Sequence, residues 1–560
     1  MHAQNLSAPV PPEFSKLPYL RVLDLSRNYL NGSVPLEWST MRLTELSFMG
    51  NRLSGPFPKV LTNITTLKNL SIEGNLFSGS IPPQIGNLVN LQKLIISSNG
   101  FTGVLPVELA KLINLTDLRI CDNNFSGRIP DFIGNWTLIE KLHIQGSSLE
   151  GPIPSSISAL TRLSDLRISD LKRKGSPFPP LSNMESMRTL TLRKCLIHGE
   201  IPDYIGEMRK LKNLDLSYNE LTGEIPASFD QLARVDFIYL TGNKLTGTLP
   251  GWALGRNDHL DISYNNFTWE SSSPTECPRG SVNLVESYSS SVDKLKIHPC
   301  LKKNFPCPAS GIQHQYSLHL NCGGKEVDIN GQKYEADREQ SGASMFYMVP
   351  EWALSSTGNF MDNDMDADIY IETNTSALSV SGPVSELYTT ARVSPLSLTY
   401  YGLCLLDGNY TVSLHFAEII FTDDRSFYSL GKRIFDVYIQ EKLVLKDFNI
   451  EEEAGGAGKP IVKNFTVVVT SNTLKIHFYW AGKGTTGIPD RGFYGPLISA
   501  ISVHPNFNPP LGKGKKINVL LIVGTLATAL FLGLVVLGIM RRKGWLGGKV
   551  STEKGMTYKL

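Results

Sequence analysis

The sequence predicts a solenoid of short parallel strands, followed by an all-β sandwich and one membrane-crossing helix. Three observations predict it. A pattern of Leu, Asn, Gly and Pro recurs about every 24 residues through residues 1–270. Apolar and polar residues alternate with period two between 316 and 505. Ile517 to Met540 reads INVLLIVGTLATALFLGLVVLGIM, without a charge.

The repeat is clearest in "LKNLSIEGNLFSGSIP", ending at Pro82, and in "LKNLDLSYNELTGEIP", ending at Pro226. Its template is LxxLxLxxNxLxGxIP. The Asn position falls at Asn28, Asn51, Asn75, Asn99 and Asn123, passes through Ser147, Leu171 and Cys195, and resumes at Asn219, Asn243 and Asn265. Leu70 and Ile72, two apart, point inward from one short strand while their neighbours face the concave side. The Asn amide can bond the backbone of neighbouring coils and so build a ladder along the stack. Cys195 can replace it as a weak donor. Gly and Pro shape the convex return. This is a leucine-rich-repeat horseshoe of the plant-type 24-residue kind.

Positions flanking the strands carry Lys93, Asp117, Arg119, Lys141, His143, Asp165, Arg167 and Arg193, with Cys121 expected to be exposed among them. Arg119, His143, Arg167 and Arg193 are therefore candidates for binding a peptide or protein on the concave face. The alternative is an ordinary solvated polar surface. "LKRKGSPFPPLSN", Leu171 to Asn183, breaks the Gly-x-Ile-Pro pattern and is either a contact loop or an irregular repeat. At the start, Leu6, Ala8, Val10 and Pro11 match Leu30, Gly32, Val34 and Pro35, so the expectation is that the sequence opens inside a repeat, without signal peptide or cap. A genuine start with a retained product is the alternative.

Residues 271–315 lose the period and gather Ser, Pro and Cys, as a cap and linker would. The chain has seven cysteines. One disulfide is expected among Cys277, Cys300 and Cys307, and the absence of CxxC spacing argues against zinc. Residues 316–505 read as antiparallel strands: "TVSLHFAEI" alternates Val412, Leu414 and Phe416 with Thr411, Ser413 and His415, and "LKIHFYW" behaves likewise. A stalk (506–516) leads to the span (517–540), long enough as a helix to cross a hydrocarbon core of about 30 Å. Basic residues in the tail (541–560), Arg541, Arg542 and Lys543 first, put the C-terminus on the cytoplasmic side of a single-pass plasma-membrane protein. Eleven Asn-x-Ser/Thr acceptors all precede the span: Asn5, Asn31, Asn63, Asn69, Asn114, Asn124, Asn135, Asn266, Asn374, Asn409 and Asn464. Thr525, Ala529 and Gly533 form a small-residue ridge, for helix packing or simply facing lipid.

"LNCGGKE", "YEAD", "ELYTTAR", "GNYTVSLHFAEI", "RIFDVYIQ" and "DRGFYGPLISAISV" resemble a malectin domain. With the repeats, the span, "NGSVPLEW" and "HPCLKKNFPC", the chain up to Met540 resembles the plant leucine-rich-repeat receptor-like serine/threonine kinases that carry malectin. The resemblance implies a plasma-membrane receptor for an extracellular carbohydrate, peptide or protein, with a possible co-receptor kinase. It implies stacking aromatics and a carboxylate for sugar, for which Tyr388 and Asp490, with Tyr400 and Tyr401 nearby, are the matching positions. Tyr388 reads equally as a core tyrosine. The resemblance also implies a Cys322–Cys404 disulfide.

Catalytic patterns are not found. Asp362, Asp364, Asp366 and Asp368 alternate, but Ala367 and Thr373 stand where a calcium loop needs Gly and Glu, which leaves a solvated acidic loop and no metal or cofactor. HExxH, GxSxG and a phosphate loop are absent. After Met540 come twenty residues without glycine-rich loop, catalytic-loop Asp or DFG, so this sequence itself is not expected to phosphorylate anything. A net charge of +2 gives no reason to expect nucleic acid. The expected role is the sensing part of such a receptor with its kinase missing. The alternative is a kinase-less receptor-like protein acting through a partner kinase or as a decoy.

Overall fold

A computed structural model describes residues 1–255, 259–268, 282–289, 297–304, 307, 315–339, 342–362, 368–509, 519–543 and 545. Cys277, Asp364, Asp366 and the Thr525 side chain lie outside the described residues. The chain forms two units, Met1–Phe507 and Asn508–Leu560.

In the first unit the repeats stack as a solenoid. Twelve parallel strands, from Val22–Asp24 to Val282–Asn283, line one face in register, with Leu46 beside Leu70, Leu70 beside Leu94 and Leu94 beside Leu118. These leucines are buried, and each such side chain contributes about 1.5–3 kcal/mol of burial. Short 3-10 helices such as Lys59–Asn63 and Pro83–Asn87 make the opposite wall, each entered from a proline whose fixed φ suits that turn. Pro82 and Pro106 precede two of them.

The asparagine ladder is present. Asn75 accepts from Leu53 N at 3.0 Å and donates to Phe48 O at 2.9 Å and Ile72 O at 3.1 Å, tying three points of two coils. Cys195 replaces it by donating to Ile168 O at 3.4 Å and Arg193 O at 3.3 Å. The second, smaller row of strands is divided into sheets of five and three, bridged between Asn124–Phe125 and Ser176–Pro177 only by single pairings of Glu150 with Arg128 and with Lys172. Lys172, Arg173 and Lys174 are exposed there, with Arg173 Nε 3.0 Å from Glu150.

The second lobe of this unit holds two six-stranded sheets and a small third one. One sheet runs from Val327–Ile329 to Ile461–Val469; the other contains Ser344–Met348, Trp352–Thr357, Ser397–Gly402, Leu474–Tyr479, Phe435–Ile439 and Lys442–Phe448. The pairings within these two sheets are antiparallel except Leu318–Cys322 with Gln332–Asp337, which is parallel. Period two decides the inner face: Val412, Leu414, Phe416, Leu398, Ile476 and Phe478 form its core.

The disulfide implied by the resemblance is corrected. Cys404 pairs with Cys307, Cα atoms 5.3 Å apart, while Cys322 is a buried free thiol. Cys322 ends a core strand beside the buried Asp337, Arg392 and Tyr400, and burial raises its pKa. Cys404 instead lies beyond the strand Ser397–Gly402 and reaches Cys307 before the lobe. Cys300 is also disulfide-bonded.

The second unit contains one helix, Val519–Arg542, whose described side chains begin at 527. Leu530, Phe531, Leu534 and Ile539 are exposed on it, as are Ala529 and Gly533. Among the described residues no helix is long and apolar enough to cross a membrane.

Candidate functional site between the two lobes

Each coil leaves its concave strand through one residue that precedes the ladder position, and in most coils that residue has left-handed backbone. Arg27, Ser98, Asp122, Asp170, Lys194, Tyr218 and Tyr264 have φ between 45° and 57° here, and Gly50, Gly74, Gly146 and Gly242 occupy the same place. The geometry throws this row of residues off the rim of the sheet. The second lobe sits on that row.

Arg27 Nη1 lies 3.1 Å from Asp490 Oδ1, and Ser98 Oγ donates to Gly484 O at 3.1 Å. Tyr479 donates to Asp170 Oδ1 at 3.1 Å, under Lys194 Nζ at 4.2 Å from its ring centre. Tyr218 donates to Ser397 Oγ at 2.8 Å, and the Tyr264 and Tyr401 hydroxyls meet at 2.6 Å. At Gly146 and Gly482 the two backbones touch: a Cβ on Gly482 would lie 2.7 Å from Gly146 N.

Three further contacts reinforce the row. Arg167 holds Asp165 through Nε and Nη2, both at 2.8 Å, and reaches across the seam to Asp362 through Nη1 at 2.7 Å and Nη2 at 3.1 Å. Asp362 is partly buried, which raises its pKa, but Arg167 outweighs this and holds it at about 2. Asp261 accepts from Thr357 Oγ1 at 2.7 Å, and burial pushes it up to about 6 against the hydrogen bonds of Ser263 and Thr357. Lys475 Nζ lies 3.3 Å from Glu286. Phe346, Ala353, Tyr401 and Leu403 of the second lobe join the solenoid's own apolar cluster.

This arrangement corrects the expectation of an open concave face. Arg119 is paired within its strand to Asp117 at 2.9 Å, and Arg167 is spent on Asp165 and Asp362. His143 is buried, its Nε2 3.1 Å from Asp165 and outside hydrogen-bond geometry, and burial followed by the Arg167 charge lowers its pKa. Arg193 donates to Asp215 at 3.2 Å and stacks 5.0 Å from the Trp480 ring centre. Cys121, expected exposed, is half-buried, and burial pushes its thiol up to about 12.

The sugar candidates do not converge. Tyr388 is a core residue whose hydroxyl meets His415 Nδ1 at 3.1 Å. Tyr400 is buried and bonded to Asp337; Tyr401 is buried in the seam; Asp490 is partly exposed and paired with Arg27. Alternation explains the first pair of neighbours: Tyr400 points into the sandwich and Tyr401 out of it, toward the solenoid. Of the acceptor asparagines, Asn5, Asn31, Asn63, Asn114, Asn124, Asn135, Asn409 and Asn464 are exposed, while Asn69, Asn266 and Asn374 are half-buried. Asn374 donates its side-chain amide to Ile419 O at 2.9 Å.

Three cavities open along the seam among the described residues, one of about 450 Å³ between Tyr29, Arg52 and Gly74 on one side and Asp423, Lys432 and Glu451 on the other. A cleft of about 810 Å³ has walls of Tyr218, Tyr264, Tyr438, His477 and Tyr479, with Glu286, Glu441, Lys194 and Lys475 among them. The Tyr438 and His477 rings stack at 5.6 Å, and burial with the charges of Lys475 and Lys194 lowers His477 to about 3. The smallest, about 310 Å³, lies between the concave strands and the loops at 358–362 and 480–487, and contains Arg119, Arg167, Arg193, Glu73 and Asp362. Burial raises the Glu73 pKa. Among the described residues no group of three or more His, Cys, Asp or Glu could hold a metal ion.

The family model for the malectin domain matches residues 316–501. The second lobe is similar to malectin domains over those residues. Leucine-rich-repeat models match 19–41, 66–88, 90–112, 114–136 and 185–245 of the solenoid. Over 549 residues the chain is 62% identical to a probable LRR receptor-like serine/threonine-protein kinase of Arabidopsis thaliana, covering 97% of this chain and 54% of that protein. A second such Arabidopsis thaliana kinase is 50% identical over 517 residues, covering 92% of this chain and 50% of that one. The chain thus spans about half the length of these relatives, and is similar to them along both the repeats and the malectin-like lobe. Among solved structures, the Arabidopsis receptor kinase HAESA with the peptide hormone IDA and the co-receptor SERK1 is 29% identical, with a TM-score of 0.45, over 51% of this chain and 54% of that one.

Proposed function

We propose that this chain is the ligand-binding part of a single-pass plasma-membrane receptor of the receptor-like-kinase type, its N-terminal unit outside the cell. The observation that carries the reading is the match along 97% of the chain to a receptor-like kinase, with the malectin domain seated on the repeats. The charge-free sequence 517–540, part of which lies outside the described residues, is its anchor, with Arg541, Arg542 and Lys543 at the cytoplasmic face. Signal output is protein serine/threonine phosphorylation, by a kinase domain in the full-length protein or by a co-receptor kinase. The exposed acceptor asparagines carry N-glycans.

The ligand-binding place proposed here is the tyrosine-walled cleft rather than the buried positions suggested by the resemblance. Half-buried rings such as Tyr438 and Tyr218 offer apolar faces to a pyranose, and Glu286 and Glu441 offer acceptors for its hydroxyls. A carbohydrate ligand is favoured over a peptide because the cleft's described lining is aromatic and polar, without aliphatic side chains. The test is titration calorimetry of the full chain in nanodiscs with neutral oligosaccharides. Saturable binding weakened at least tenfold by Tyr438→Ala is expected; absence of binding overturns the carbohydrate reading. Topology is tested separately: glycosidase must shift the gel mobility, and protease applied to intact cells must cleave the chain.

A further inference from the structure

We propose that the smallest seam cavity is a second ligand site, independent of the tyrosine-walled cleft, in which Arg193 binds the carboxylate of a small hydroxy or amino acid. The solenoid itself displays the geometry. Arg119 and Arg167 each use the side-on edge of the guanidinium, Nε with Nη2, to grip an aspartate two residues earlier on the same strand face: Asp117 at 2.9 and 2.9 Å, Asp165 at 2.8 and 2.8 Å. Arg193 has Thr191 at that place. Its Nε and Nη2 are buried outside hydrogen-bond geometry to any described group, with the Tyr479 side chain beside the guanidinium, and its Nη1 donates to Asp215 at 3.2 Å.

The neighbouring aspartate cannot supply the missing pair of acceptors. Asp215 Oδ1 is already committed to the Ser217 amide at 3.0 Å and the Ser217 hydroxyl at 2.5 Å. Two parallel N–H groups of a charged fork, buried together, suit a carboxylate in bidentate geometry. A second buried group on the same cavity, Asn213 Oδ1, has no partner either and is an acceptor. An acid that carries an O–H or N–H besides its carboxylate supplies a donor for that acceptor. The cavity volume of about 310 Å³ is at the lower end of the 300–1,000 Å³ typical of ligand pockets. The ligand would touch both lobes, since Trp480 of the malectin domain covers the Arg193 guanidinium.

The test is calorimetric titration of the full chain in nanodiscs with galacturonate, glycerate and alanine, against galactose and sodium sulfate at matched ionic strength. Saturable binding of at least one carboxylate is expected, with none for sulfate, and any binding of galactose, which belongs to the larger cleft, should be unchanged by Arg193→Gln. Arg193→Gln should weaken it at least tenfold. Thr191→Asp supplies the internal carboxylate at the spacing used by Asp117 and Asp165, so it should fold and also abolish binding. No saturable carboxylate, equal binding in the folded Thr191→Asp variant, or equal binding of sulfate, which marks an adventitious ion only, overturns the proposal. Failure of the oligosaccharide titration leaves this result unaffected, because neither Arg193 nor Asn213 lines the larger cleft.

Discussion

Replacing Asp362 by Asn tests whether the malectin domain is held on the solenoid by the Arg167 bridge. Arg167 makes four charge-assisted hydrogen bonds, two to Asp165 in its own strand and two to Asp362 across the seam. Breaking a buried ion pair by removing one member costs about 3–5 kcal/mol. That figure does not transfer whole to the crossing pair. The Asp362 side chain is 44% exposed against 8% for Arg167, so water screens the interaction and receives the carboxylate when it is released. Asp165, 12% exposed, continues to neutralise Arg167. The crossing contribution is therefore about 1–2 kcal/mol, a factor of about 5–30 in the opening equilibrium of the seam. Native-state hydrogen exchange of the backbone amides at 477–485, wild type against Asp362→Asn and Arg167→Met, reads it directly. A double-mutant cycle should give coupling of about 1–2 kcal/mol. Exchange that changes less than twofold in Asp362→Asn would show that the bridge does not hold the lobes together.

Gly146→Ala combines left-handed strain with a clash against Gly482, whereas Gly79→Ala carries the strain alone, having nothing within 4 Å; the strain is about 1–2 kcal/mol. Denaturation should show a larger loss for Gly146→Ala, with faster exchange confined to the seam. Asn75→Ala strands the Leu53 amide and the Phe48 carbonyl, and should cost about 2–4 kcal/mol by the same denaturation measurement. His477 is held near pKa 3, below the usual value, so the stability it confers is present above about pH 6.5 and falls as pH drops toward 3, by up to about 1.4 kcal/mol per pH unit. His477→Gln should flatten that slope in a pH series of melts. Asp261, raised to about 6, acts oppositely: its contribution is complete below about pH 4 and is lost as pH rises through 6, so Asp261→Asn should remove that decline.

The repeat was legible because stacking forces each coil to reuse the same residues. Leu70, Asn75 and Pro82 have one role each, and twelve strands follow in register. The sandwich was legible as alternation, yet alternation distinguishes only two faces and not what covers the outer one. Lys475, His477 and Tyr479 make up the other face of that alternation, and they face the solenoid. The Cys307–Cys404 pair could not be chosen from spacing among five cysteines in that half. A signal for the seam was nevertheless present. The residue preceding the ladder position is Arg27, Asp170, Lys194, Tyr218 or Tyr264 in some coils and glycine in others, an unusual set for a place that requires positive φ. A large side chain kept in left-handed backbone suggests a compensating contact, and each of these five has one in the second lobe.

The docked arrangement constrains how any ligand could act. A ligand shifts the balance between docked and parted lobes only by its difference in affinity for the two. One that touches the malectin domain alone, away from the seam, has no such difference and transmits nothing through this contact. One that bridges Tyr438 and Tyr218, or Arg193 and Trp480, draws its affinity from both lobes and tightens the seam. One that takes Arg167 must first displace Asp362, and forfeits about 1–2 kcal/mol in doing so. Hydrogen exchange at the seam separates the cases: protection rises for a bridging ligand, falls for a displacing one and stays constant for a peripheral one.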